Sequence, residues 1–320
     1  MKILIQYIVF GFSLGIICGG ACLIFCFATT LCNCLGQSHE ILLFFLPLAG
    51  LLVVYLYDRK FKNQTLDTNS IYRYLTYDKP ISKWQAPLIF LSTCLAYIFS
   101  GSVGRAGSAL QIGSGLAYAV GAKAGKAEKV PAVFAKNIRP DMLMACGMAA
   151  AFTAIFKTPF AGAVFGVEML VLTRNNISLL LPSAIAAFAT YGMACLVSVP
   201  YTDIHTDFAS DKFDPVAINF QTMWRVAVIA LCAALLGRIF CLLRRYTDRW
   251  FKRGLKNPFI RVLVGTGMVI VVTLLIGHNE CNGLGYAIAG MALDGETRPL
   301  NFVFKLVLTL ITLGCGIRGG

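Results

Sequence analysis

Ser100-Gly101-Ser102-Val103-Gly104-Arg105-Ala106-Gly107-Ser108-Ala109-Leu110-Gln111-Ile112-Gly113 is a loop of small residues that runs straight into an apolar helix. Glycines let a backbone approach a ligand closely. The first turn of a helix presents free N–H groups and the positive end of the peptide dipole, which together attract an anion. Inside a chain this apolar, such a loop marks a half-helix at membrane depth, tolerated only where it is buried in protein or lines a polar cavity.

The surrounding composition agrees. The chain has 320 residues, 58% apolar and 13% charged, with a mean hydropathy of +0.73. One soluble core cannot hide that much apolar surface, so the partner is a lipid bilayer. A span needs about 20 apolar residues, and the candidates are Ile5–Leu31, Ile41–Tyr57, Ala86–Ser100, Ile177–Val199, Met223–Leu243 and Val262–Gly277. Gly107–Gly121 and Phe302–Gly314 are short, and Met142–Ile155 and Phe160–Leu172 are separated at Lys157-Thr158-Pro159. The fold class expected is an all-α polytopic membrane protein with broken helices.

The formal charge of +13 does not indicate nucleic acid, because the cations sit in short loops between spans. Arg59, Lys60 and Lys62 occupy one loop, Lys123 to Arg139 a second, and Arg244, Arg245, Arg249, Lys252, Arg253 and Lys256 a third. The positive-inside rule places all three in the cytoplasm. The acidic stretch Thr202 to Asp214, with Asp203, Asp207, Asp211 and Asp214, then lies outside. The apolar run after Met1-Lys2-Ile3 exceeds a signal-peptide core of about 7–15 residues and lacks a clear cleavage site. It reads as a retained first span.

Twelve cysteines are scattered through apolar segments, and Cys18, Cys22 and Cys26 follow a helical four-residue spacing. They read as small buried hydrophobes. Cys32-Asn33-Cys34 lacks the gap and second pair of a zinc site, and His39, His205 and His278 fall in separate loops. No metal or cofactor is expected. The acids lie mainly in loops and no Ser-x-x-Lys or His-Glu-x-x-His pattern occurs, so the chain does not read as an enzyme. Organisation divides near Asp214-Pro215 into a first membrane repeat, 1–200, carrying the anion-site loops, and a partial second repeat, 215–320.

Gly101-Ser102-Val103-Gly104-Arg105, followed by Gly107-Ser108-Ala109-Leu110-Gln111-Ile112-Gly113, resembles the Gly-Arg-Glu-Gly anion-site motif of the CLC chloride channel and transporter family. Gly147-Met148-Ala149-Ala150-Ala151-Phe152 and Thr158-Pro159-Phe160-Ala161-Gly162-Ala163-Val164-Phe165-Gly166-Val167-Glu168 resemble that family's next helix pair. Gly283-Leu284-Gly285 and the terminal Thr309 to Gly320 are similar to second-half segments. The resemblance implies an inverted-repeat fold with re-entrant half-helices, its second repeat incomplete. It also implies passage of a small inorganic anion through a pore in each protomer, coupled to protons in intact relatives, and a homodimer in full-length form. The expected location is a bacterial inner membrane.

Chloride-type members carry a Gly-Ser-Gly-Ile-Pro loop that this chain lacks. In its place stand Asp67-Thr68-Asn69-Ser70-Ile71 and, after Pro80, the Ala86-Pro87-Leu88 opening of the next helix. That layout is more similar to the bacterial branch that exchanges fluoride for protons. By this resemblance Thr68 and Asn69 form the inner coordinating pair; the same residues also suit an ordinary helix N-cap. Gly104, Arg105, Gly107 and Ser108 form the other part of the anion site. Fluoride is the favoured ion and chloride the next, with a voltage-gated-type chloride channel and a non-transporting accessory subunit as the alternatives.

Two departures stand out. Ala106 occupies the position of the family's gating glutamate, whose carboxylate competes with the anion and carries the proton. A methyl group can do neither, so the resemblance implies an ungated, proton-uncoupled pathway. The flanking residues match so closely that alanine here reads as a substitution at a glutamate position. The second departure is Gly319-Gly320, where the family continues into a further anion-binding helix, a pore tyrosine and part of its dimer interface.

An arginine within a membrane costs roughly 2.5–3.5 kcal/mol unless satisfied, so Arg105 is expected either to draw anions or to fix neighbouring carbonyls. Lys157 at the helix break is expected to snorkel, and Glu168 to pair with Arg174 at a helix end or serve a proton path.

Overall fold

A computed structural model describes residues 2–60, 82, 84–124, 140–169, 178–197, 219–296, 298–317 and 319. Every regular element among them is helical: α1 (Lys2–Ser38), a 3-10 turn (Glu40–Phe45), α2 (Leu46–Tyr55) with a π-helical turn after it (Leu56–Lys60), α3 (Gln85–Ile98), α4 (Ala106–Ala124), α5 (Pro140–Phe156), α6 (Pro159–Glu168), α7 (Leu180–Leu196), α8 (Phe220–Gly254), α9 (Pro258–Ile276), α10 (Tyr286–Leu293) and α11 (Asn301–Gly314). Four stretches, Tyr7–Ser38, Glu40–Asp58, Phe220–Gly254 and Pro258–Ile276, are long and apolar enough to cross a membrane.

The hub is α5, which packs on α1, α4, α6 and α7. Its residues Met142 to Ala151 are all buried, so the helix has no lipid or water face along that length. Small side chains make this possible. A Cβ built at Gly113 of α4 would press on the Gly147 carbonyl of α5, and one built at Gly147 on the Gly113 carbonyl. The two backbones therefore meet directly, as in small-residue membrane interfaces. The cysteine stripe of α1 serves the same packing: Cys18, Cys22 and Cys26 are 0% exposed, and the Cys22 thiol lies 3.6 Å from the Ala109 carbonyl as a weak donor.

A second core joins distant parts of the chain. Leu46 and Val54 of α2 pack with Val262 and Val269 of α9 and with Leu308 and Cys315 at α11. An early helix thus completes the core of the later segment.

The break expected at Lys157-Thr158-Pro159 is where α5 ends and α6 begins. Proline at the first position of α6 lacks an N–H that would have no intrahelical partner, and Lys157 turns the corner with φ +53°. Two expected limits need correction. The short run Gly107–Gly121 extends to Ala124. The third basic cluster is mostly not a loop, because α8 continues through Arg244, Arg245, Arg249, Lys252 and Arg253 to Gly254. Arginine and lysine are good helix formers. Asp248 accepts from Arg244 at 3.5 Å and from Lys252 at 2.6 Å, both at four-residue spacing, and Lys252 and Arg253 in the last turn suit the negative end of the dipole.

Candidate anion site

The α3–α4 connection is held open by its own hydrogen bonds. At Ser100 the chain turns with φ +55°, and the Ser100 hydroxyl donates to the Gly36 carbonyl of α1 at 2.9 Å. Gly101 N–H donates to Ala96 O at 2.7 Å, and the fully buried Tyr97 donates its hydroxyl to Val103 O at 3.1 Å. Ser102 Oγ lies 2.9 Å from Thr309 Oγ1 of α11, which ties the loop to the last helix.

This fixed loop delivers the N-terminus of α4 to the interior. The first helical bond runs from Ala109 N–H to Arg105 O at 3.0 Å, so the amides of Ala106, Gly107 and Ser108 precede the intrahelical ladder. Ala106 and Gly107 are half-buried and Ser108 is fully buried. Ser108 Oγ lies 3.0 Å from Thr93 Oγ1 of α3, which directs that hydroxyl into the α3–α4 contact.

Arg105 carries the charge. It is only 8% exposed, and its Cζ lies 5.3 Å from the ring centroid of Tyr286, within the range of a cation–π contact. Its Nη1 is buried with no hydrogen-bond partner among the described residues. A buried donor without a partner is costly.

Gly104, Arg105, Ala106, Gly107 and Ser108 are therefore brought together at one place. Thr68 and Asn69 lie outside the described residues, as do Arg174, His205 and the acidic stretch Thr202 to Asp214. Glu168 ends α6 in an exposed position.

Three contributors were not singled out from the sequence: Tyr286, Thr309 and the Ser102 hydroxyl. Tyr286 opens α10 immediately after the Gly283-Leu284-Gly285 turn, where both glycines have left-handed φ, +60° and +83°. A Cβ at Gly283 would collide with the Asn33 side chain, whose Oδ1 accepts from Leu284 N–H at 2.9 Å. Lys305 of α11 donates to the Gly283 carbonyl. The two-glycine turn was the available signal for a backbone held against another helix, and it is what sets Tyr286 beneath Arg105.

With this geometry in place, residues 49–320 match the family described as Voltage gated chloride channel. The chain belongs to that family, the CLC family. A "Chloride/fluoride channel protein" from Pseudomonas syringae pv. tomato is 27% identical over 293 residues, covering 89% of this chain and 61% of the relative. The chain thus spans about three-fifths of that relative's length. Among solved structures, a CLC-type fluoride/proton antiporter superposes with a TM-score of 0.84 at 24% identity, covering 99% of this chain and 77% of the other. A slow cyanobacterial Cl−/H+ antiporter superposes with a TM-score of 0.70 at 18% identity, covering 98% and 75%. The all-α CLC-type fold is therefore that of this chain.

Proposed function

We propose that this CLC protein passes a small inorganic anion, fluoride first and chloride second, across a bacterial inner membrane, as a transporter and not as an enzyme. One observation carries the reading: the buried Nη1 of Arg105, without a hydrogen-bond partner among the described residues, beside the first-turn amides of α4. The name of the Pseudomonas relative includes both chloride and fluoride, so the order of the two ions rests on the resemblance of the Thr68-Asn69 segment to the fluoride branch. Fluoride is strongly hydrated and asks for several close donors. Gly104 to Ser108 provide backbone N–H groups, and Thr68 and Asn69 complete the coordination from the inner side in this reading. The two parts of the chain, 1–200 and 215–320, act as paired membrane repeats of one protomer in a homodimer.

Ala106 makes this pathway uncoupled. The residue sits where α4 begins, next to the anion, and its methyl group neither competes with the ion nor binds a proton. Efflux from liposomes, read simultaneously for fluoride, chloride and pH, tests the proposal in the full-length protein. The expected result is anion flux without proton counterflow with Ala106 in place and proton-coupled fluoride flux for Ala106→Glu. Chloride flux exceeding fluoride moves the ion to chloride, and no flux from either version overturns the transport reading.

A further inference from the structure

Lys305 is a second cation within the helical body, and the anion site as described makes no direct use of it. It lies half-buried on α11, has no ion-pair partner among the described residues, and donates from its ammonium to the Gly283 carbonyl. An ionisable group at membrane depth is expensive, and those that are kept pair with charges or backbone carbonyls and mark functional elements. A neutral donor would hold a carbonyl at lower desolvation cost, but a charge-assisted hydrogen bond is roughly twice as strong. The lysine stem has its path only because residue 285 is glycine. A Cβ there would stand 3.0 Å from Lys305 Cε, and φ at Gly285 is +83°, a conformation that glycine accepts without strain.

The turn that Lys305 holds carries Tyr286. Gly283-Leu284-Gly285 leads directly into α10, whose first residue is Tyr286, and Arg105 rests over that ring at 5.3 Å. Asn33 of α1 fixes the Leu284 N–H at 2.9 Å, which leaves the Gly283 carbonyl and the Gly285 backbone to Lys305. The same helix grips the other side of the contact. One turn beyond Lys305, Thr309 donates to the Lys305 carbonyl at 2.8 Å and meets Ser102 at 2.9 Å, in the loop that ends at Arg105. One stretch of α11 therefore reaches both halves of the Arg105–Tyr286 contact, the ring through the glycine turn and the guanidinium through the anion loop.

We propose that Lys305 is a positioning residue of the anion site. Its bond to the Gly283 carbonyl sets the Tyr286 ring under Arg105, and the ring sets the direction of the guanidinium beside the α4 amides. Lys305 acts through Tyr286 and does not itself touch the anion. The proposal rests on the reading of Arg105 as the cation that binds the anion.

Two readouts on the full-length protein distinguish positioning from a merely structural role. In detergent, fluorotyrosine in place of Tyr286 gives a fluorine NMR resonance that reports the contact of the ring with the guanidinium. In liposomes, flux against fluoride or chloride concentration separates apparent affinity from maximum rate. Lys305→Met keeps the length of the stem and loses the donor. It should move the resonance and raise the half-saturating anion concentration roughly fivefold, with the maximum rate little changed. Lys305→Arg, which keeps a charged donor, should restore both. In a Tyr286→Leu background Lys305→Met should add no further rise. Lys305→Gln, whose shorter stem does not reach the carbonyl, takes the place of Lys305→Met if the latter elutes as aggregate. An unmoved resonance, an unchanged half-saturation, a fall in maximum rate alone, no rescue by Lys305→Arg, or a full additional rise in the Tyr286→Leu background overturns the proposal. Absence of flux from the unsubstituted protein strikes the transport reading alone, because the resonance still decides whether Lys305 sets the ring.

Discussion

Arg105 is an expensive residue that the molecule keeps buried against a tyrosine face, and its energetics are testable one atom group at a time. A desolvated cation–π contact contributes about 2 kcal/mol. Tyr286→Phe retains the ring and should leave thermal stability nearly unchanged, whereas Tyr286→Leu removes the face and should lower the melting temperature measurably in detergent. Arg105→Ala should reduce anion flux at least tenfold in liposomes, because it removes the buried positive charge beside the α4 amides. Lys157 offers a separate test of backbone cost. With φ +53° it occupies a conformation that costs an L-residue roughly 1–2 kcal/mol and glycine little. Lys157→Gly should therefore be more stable than Lys157→Ala by ~1 kcal/mol, a comparison in which the lost side chain is common to both. The roles differ in legibility. Arg105 was identifiable from its place in a glycine loop, but Tyr286 was not, because it lies far along the chain and only folding brings its ring under the guanidinium.

Helix–helix approach decides the element scale. Gly113 and Gly147 place the backbones of α4 and α5 in direct contact, so Gly113→Val should prevent close packing and sharply reduce folded, monodisperse protein on size exclusion. Two residues along, a Cβ at Gly115 meets nothing within 4 Å. Gly115→Ala should be accepted and gain up to ~1 kcal/mol of helix propensity, read as a raised melting temperature. Both are glycines in one helix of small residues, and sequence alone does not separate them. The distinction is which side of α4 faces α5. The long helix α8 teaches the reverse lesson: its apolar stretch was legible, yet its continuation through the basic residues was not. A charge cluster reads as a loop until the Arg244–Asp248–Lys252 pairing along one face is seen.

At the scale of the whole molecule, chain order and spatial order differ. Residues of α2 share a core with α9 and α11, and Ser102 reaches Thr309 across 207 positions of sequence at 2.9 Å. The topology behind this arrangement is open to direct labelling. In a cysteine-free background, Lys256→Cys should react only with reagent on the cytoplasmic side and Asp207→Cys only with reagent outside, as assessed in sealed vesicles. Equal access to both from one side contradicts the positive-inside assignment. Most of the helices, the break at Lys157 and the glycine loop ahead of α4 follow from local features: apolar runs of membrane length, a proline after Lys157, and glycines ahead of an apolar helix. Those act through hydration and backbone sterics within a few residues, so the sequence by itself carries them. The tertiary structure alone decided that Arg105 lies over Tyr286, that Ser102 meets Thr309, and that α2 closes the core formed by α9 and α11. Each of those depends on contacts between segments remote in the chain, where burial and packing select partners that no local pattern encodes.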